Sequence, residues 1–176
     1  MSAFATPAQM ENRTGGLIAA THPFLSTELD AATEAIRRYC GWHNAALETV
    51  RYRRVRSHPE QVWLPAMQID EITEATIDGE TIDPETIEVD PDTGWTSLCA
   101  RRVDIKFKAG FNPVPADLVT LTLELAAAAL GSPLGISREQ TGGVSVTFTR
   151  VSGQLLVNAG GQDIPRLAPY RLGWLP

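Results

Sequence analysis

The stretch "KAGFNPVPADLVTLTLELAAAAL", residues 108–130, decides the fold. It leaves a strand, passes two prolines and enters a helix with almost no polar side. Gly110 lets the chain turn out of the strand. Pro115 suits the first turn of a helix, where a missing N–H costs nothing, and Asp117 suits the positive helix end. Leu118, Leu121 and Leu125 form one apolar stripe; Val119, Leu123, Ala126 and Leu130 form a second. Only Thr120, Thr122 and Glu124 interrupt them, and Gly131-Ser132-Pro133 ends the run. A helix that is apolar all round is buried all round. Two arrangements satisfy this: the central helix of a monomeric core, or a helix with one stripe packed inward and the other against a neighbouring copy.

Upstream, "STELDAATEAIRRYCGW" predicts a helix over about 27–40. Ser26 or Thr27 can cap its start, Leu29, Ala32, Ile36 and Tyr39 or Cys40 recur at helical spacing, and Gly41 stops it. Residues 1–25 are small, polar and glycine-containing, and read as a flexible arm. Residues 47–108 read as antiparallel β structure inserted between the two helices. "VRYRRVRSH", "QVWLP" and "TIEVD" look like short strands, and "DPDTGW" is turn chemistry. Asp78-Gly79 between Ile77 and Ile82 signals a tight hairpin, because both central positions need positive φ. "RRVDIKFK" is the cleanest strand: Val103, Ile105 and Phe107 point one way, Arg102, Asp104, Lys106 and Lys108 the other. "GGVSVTFTRVSG" predicts one more strand over 144–149. Asp163 and Pro165 begin a short helical turn in an extended C-terminal arm, 163–176. The fold class is therefore α+β: a small helical core, an inserted β-hairpin region and a terminal arm, with 26–162 as one domain.

Charge is unevenly distributed. The net charge is −6, which argues against a protein that binds DNA by covering phosphates. Eleven of the 21 acids fall within residues 57–100, a stretch without Lys or Arg. Arg51, Arg53, Arg54 and Arg56 precede it; Arg101, Arg102, Lys106 and Lys108 follow. Either these charges pair within one subunit, or the subunit has an acidic and a basic side. The latter suits head-to-tail contacts in a ring, or an acidic channel that phosphates pass without sticking.

Catalytic and metal chemistry find no footing. His22, His43 and His58 lack zinc-ligand spacing, and the glycine pairs are not followed by a phosphate-loop lysine. "DPDTGW" is only a fragment of a calcium loop. Cys40 beside His43 sits at a helix C-terminus, which raises a thiol pKa. No cofactor, metal or enzymatic activity is expected. The start lacks a secretory pattern, and no apolar run reaches the roughly 18 residues of a membrane span. A cytosolic chain with two free thiols, Cys40 and Cys99, and no membrane partner is expected.

The order of pieces carries a resemblance. "ATEAIRRYCGW", an insert with the "IDGETI" hairpin, "VDIKFKAGFNPVPADL" running into an Ala- and Leu-rich helix, and "LAPYRL" near the end span residues 27–172. This arrangement resembles the head-tail connector (adaptor, or head-completion) proteins of long-tailed double-stranded DNA bacteriophages. The acidic insert and the strand at 144–149 depart from it. The resemblance implies a structural virion protein of the neck, made in the host cytoplasm, that forms a ring, commonly a dodecamer. Its partners would be the portal protein, neighbouring copies, a downstream stopper or tail-completion protein, and double-stranded DNA passing without sequence-specific binding. It implies portal docking by Leu167, Tyr170, Arg171, Leu172 and Trp174, and subunit contacts by Val119, Leu123, Leu130, Arg51 and Arg53. It also implies a channel lined by Glu80, Glu85 and Glu88. Removing residues 167–176 would then leave a folded protein that no longer binds the portal. A different neck component, a stopper or tail-completion protein, is the alternative, and a small β-rich binding module or hydrolase a more distant one.

Overall fold

The alternation read at 102–108 builds the larger sheet. In the computed structural model, which describes residues 2–131, 138–141, 144–147 and 166–173, four strands pair antiparallel: β1 (Glu48–Trp63), β2 (Ile69–Ile77), β3 (Glu80–Ile82) and β4 (Trp95–Ala109). Their order is β1-β4-β2-β3, so β4 has partners on both sides and β1 and β3 are edges. On one face Phe107 lies between Val50 and Ile72, and Ile105 between Tyr52 and Ala75. Val103, Ile105, Phe107 and Ala109 are buried there. Each such large side chain contributes roughly 1.5–3 kcal/mol by leaving water.

Two local readings change. "VRYRRVRSH" and "QVWLP" are one strand of 16 residues, interrupted by a bulge in which 56–59 oppose Arg101 alone. Pro59 cannot donate to the ladder, and the Arg54 guanidinium donates instead to the carbonyls of Glu60, Gln61 and Ala100 at 3.3–3.5 Å. "TIEVD" is not a strand. Pro84–Thr86 form a 3₁₀ turn whose first amide, that of Glu85, is accepted by Asp83 Oδ1 at 3.1 Å, and only Val89 bridges to Thr96. Proline at a helix start with an Asp cap outcompetes a weak alternation. The Asp78-Gly79 hairpin forms as expected, with φ of 52° and 99°. Asp78 Oδ1 also accepts the amides of Arg101 and Arg102.

This sheet lies in a unit made of Cys40–Val114 and Tyr170–Pro176; the other unit comprises Met1–Tyr39 and Pro115–Pro169. The second contains α1 (Pro7–Arg13), α2 (Leu25–Cys40, through Tyr39), α3 (Ala116–Gly131) and a hairpin of β5 (Arg138–Thr141) and β6 (Val144–Thr147). Residues 148 and 149 of the expected last strand, and the turn at 163–165, lie outside the described residues. The segment read as an arm carries α1, because "TPAQ" is a capping box: Thr6 Oγ1 accepts from Gln9, and the Gln9 side chain accepts from the Thr6 amide. Phe4, Ala5 and Met10 are buried, and Thr33 Oγ1 accepts the Phe4 amide at 3.1 Å. Helix α2 begins two or three residues earlier than a cap at Ser26 or Thr27 would place it, since Phe24 already accepts the Glu28 amide. In α3, Leu118, Leu121 and Leu125 are buried as one stripe, and Leu123 and Ala126 of the other stripe are buried as well. Thr122 is hidden too, its hydroxyl donating to the Leu118 carbonyl at 2.8 Å. Exposed Glu124 holds Arg13 at 3.1 Å and Arg166 at 2.8 Å.

Gly94 and Gly110 are tight. Gly94 has φ 78°, and a Cβ there would run into the Leu64 carbonyl oxygen. Gly110 has φ 125°, and a Cβ would come 2.6 Å from the Ala46 carbonyl oxygen. Gly79 also has positive φ but open space around it. Gly94→Ala and Gly110→Ala are therefore expected to cost about 3 kcal/mol or more, from strain plus overlap. Gly79→Ala is expected to cost only about 1 kcal/mol. Chemical denaturation of the three variants checks this ranking.

Candidate interaction surfaces

The face of the sheet opposite the core is a grid of charges set by the strand register. Across it, Thr49, Lys108 and Glu71 share one row; Arg51, Lys106 and Glu74 the next; Arg53, Asp104 and Thr76 the third; Val55 and Arg102 the last. The ion pairs run along and across these rows. Arg51 grips Asp104 with two bonds of 2.6 and 2.8 Å, Lys106 reaches Glu74 at 2.7 Å, and Lys108 reaches Glu71 at 2.5 Å. The hydrogen bonds from Arg51 hold the Asp104 carboxyl below its ordinary pKa, and the Glu71 carboxylate pushes Lys108 up. Both open pairs are solvated, so they fix side-chain positions more than they add stability.

Several acids of the insert are thus used inside the chain. Glu60 takes Arg56 at 3.3 Å and His58 at 3.2 Å. Asp90 closes a turn on Asp92 and Thr93, whose donors lower its pKa. Asp92 accepts from Gln68 at 3.0 Å. Glu80, Glu85 and Glu88 are exposed and form no salt bridge among the described residues. Arg51 is committed to Asp104, whereas Arg53 and Arg102 are exposed and form no salt bridge among the described residues.

Of the residues on α3 assigned to subunit contact, Leu123 is buried, while Val119 and Leu130 are half-buried. Of those assigned to docking, Leu167 is only 1% exposed, and Trp174 lies outside the described residues. The Tyr170 carbonyl accepts from Trp42 Nε1 at 2.6 Å and from Asn44 Nδ2 at 3.3 Å, and its ring packs edge-on against Phe111, which in turn meets Trp42. The Leu172 amide donates to the Cys40 carbonyl at 3.0 Å. Arg171 is exposed, and with Leu172 and Gly173 it borders a groove that Trp63, Met67 and Trp95 also line. The stretch 170–172 is therefore stitched to 40–44 by its backbone. This aromatic collar was not legible beforehand. Trp42, Phe111 and Tyr170 lie in three of the stretches that carry the resemblance, "ATEAIRRYCGW", "VDIKFKAGFNPVPADL" and "LAPYRL", but only the fold shows that they meet.

Burial pushes the Cys40 thiol up, and His43 Nε2 lies 2.6 Å from the Ala109 carbonyl oxygen. No helix among the described residues is long and apolar enough to cross a membrane.

No family model matches the chain, and no curated protein matches it. Solved structures do. A chain in the neck of a native GTA particle (a phage-like gene transfer agent), computed with C12 symmetry, superposes with a TM-score of 0.59 at 16% identity, covering 96% of this chain and 89% of that one. A chain in the neck of an empty GTA particle, computed with C6 symmetry, gives 0.61 at 15% identity, covering 97% and 90%. The protein shares its fold, over nearly its whole length, with chains found in particle necks.

Proposed function

We propose that the protein is a structural subunit of a particle neck, the adaptor ring between the portal of a DNA-filled head and the tail. The observation that carries this reading is the end-to-end likeness of fold to chains from GTA necks. The symmetry with which those necks were computed, C12 and C6, supports a ring, and C12 supports twelve copies in it. In this reading the chain works by assembly. It docks on the portal, extends the DNA channel, and offers a platform to a stopper or tail-completion protein. Glu80 and Glu88, exposed and without salt bridges among the described residues, face the channel and repel phosphate, so DNA passes without sticking. Glu85 borders a groove with Asp70 and Asp83.

The portal contact belongs to the end of the chain: Arg171, Leu172 and the residues after them. The Tyr170 carbonyl ties the start of that end to Trp42 and Asn44. Aromatic and arginine anchors of this kind dominate interface energies.

Counting copies of the chain in purified tailed particles by quantitative mass spectrometry tests the function, with about a dozen expected for a ring of this symmetry class. Absence from complete particles would sink the reading. The expectation that a protein lacking 167–176 stays folded no longer stands, because that cut removes buried Leu167 and the bonds made by Tyr170 and Leu172. Leu167→Ala alone is expected to cost roughly 2–5 kcal/mol. A cut after Gly173 leaves every described contact intact, and is expected to preserve the melting temperature while weakening pull-down by the portal protein. Undiminished pull-down would move the docking site elsewhere.

A further inference from the structure

The internal ion pairs of the sheet consume the charges in its middle and leave unlike charges at its two ends. At the β1 end, Arg53 and Arg102 are exposed and flank Val55, whose side chain is 72% exposed. Val55 is the one large apolar side chain reported exposed among the described residues of this unit. The strand that carries Arg53 and Val55 is an unpaired edge of 16 residues. Edges of that length invite indiscriminate strand addition unless charges or bulges restrict it. This one has both, with Arg51, Arg53, Arg54 and Arg56 along it and the bulge at 56–59.

At the other end of the same sheet, the 3₁₀ turn after β3 lies beside the start of β2 and encloses an open groove. Asp70, Asp83 and Glu85 line it together with Ile72, Pro84 and Ile87. Asp70 and Glu85 are exposed, and neither forms a salt bridge among the described residues. The groove thus presents carboxylates around an apolar floor. Its complement is an apolar side chain between two guanidinium groups, which is what the opposite end of the sheet presents. Contact between two β1 ends would set arginines against arginines, and contact between two grooves would set acids against acids. Like charges facing each other repel, so both symmetric pairings are disfavoured.

We infer that Arg53, Val55 and Arg102 of one copy seat in the Asp70/Glu85 groove of the next copy. The contact joins unlike surfaces and is therefore head-to-tail, the kind that generates a ring. It rests on the ring reading and supplies the subunit joint that reading leaves open. It also assigns Glu85 to a neighbour rather than to the channel.

The test uses the full-length chain and two charge-reversed variants, Arg53→Glu/Arg102→Glu and Asp70→Arg/Glu85→Arg, compared by sedimentation at low and raised salt. The wild type is expected to associate with rising concentration, and less so in high salt. Each variant alone is expected to associate at least tenfold more weakly, with an unchanged circular dichroism spectrum and melting temperature. The first variant has two acidic ends and the second two basic ends, so an equimolar mixture regains association by alternation. Wild-type association by either variant alone, a mixture no better than its components, or a wild type that stays monomeric overturns the inference. None of these results touches the copy number in particles, on which the ring reading stands or falls separately.

Discussion

Strand β4 is hydrogen-bonded on both sides along Val103 to Ala109, and the rest of its unit is organised by that position. A strand with two neighbours cannot slip by one residue without turning every side chain to the opposite face. Phe107, Ile105 and Val103 can satisfy only one face, and Lys108, Lys106 and Asp104 only the other. The register of β1 and β2 follows from both demands at once. Val50, Tyr52, Ile72 and Ala75 come to the apolar side, and Arg51, Glu71 and Glu74 to the charged side. The bulges where β2 shifts register keep Glu71 and Glu74 beside lysines while Ile72 and Ala75 stay beside Phe107 and Ile105.

The same constraint explains where charge is spent. A pair such as Lys106–Glu74 is possible only because register brings the two side chains to one row and one face. The charges that form no salt bridge among the described residues include arginines toward β1 and carboxylates about the turn after β3 and the start of β2. A chain with a modest net charge can therefore present two strongly different ends.

How much of this was legible depended on the range of the interaction. The β4 alternation, the Asp78-Gly79 turn, the all-round apolar α3 and the stop at Gly41 were readable because each is fixed within a few residues. Helix α1 was hidden because its signal is a four-residue box, "TPAQ", inside a polar stretch with only Phe4 and Met10 to anchor it. The segment after β3 misled because "TIEVD" alternates, yet Asp83 and Pro84 start a turn more strongly than Ile87 and Val89 extend a strand. Partners 53 residues apart, as Arg51 and Asp104 are, cannot be assigned before the register is known. For the same reason Leu123 and Leu167, correctly read as apolar and in need of cover, were given to partner proteins when the chain buries both itself.

The unit containing the helices is discontinuous in sequence, and the sheet is not: β1 to β4 lie between the two halves of the helical unit. Synthesis runs in one direction. Helices α1 and α2 leave the ribosome first, but α3 and the Arg166 that completes the Glu124 pair come after the whole sheet. At roughly 5–20 residues per second, on the order of 10 s separates the end of α2 from the end of α3. Once Ala109 has been made the sheet has every strand it needs, while α3, the last helix of the helical unit's core, is still to come. The first helices made belong to the part of the protein that closes last, so a nascent chain carries apolar surface for longer than its finished form would suggest.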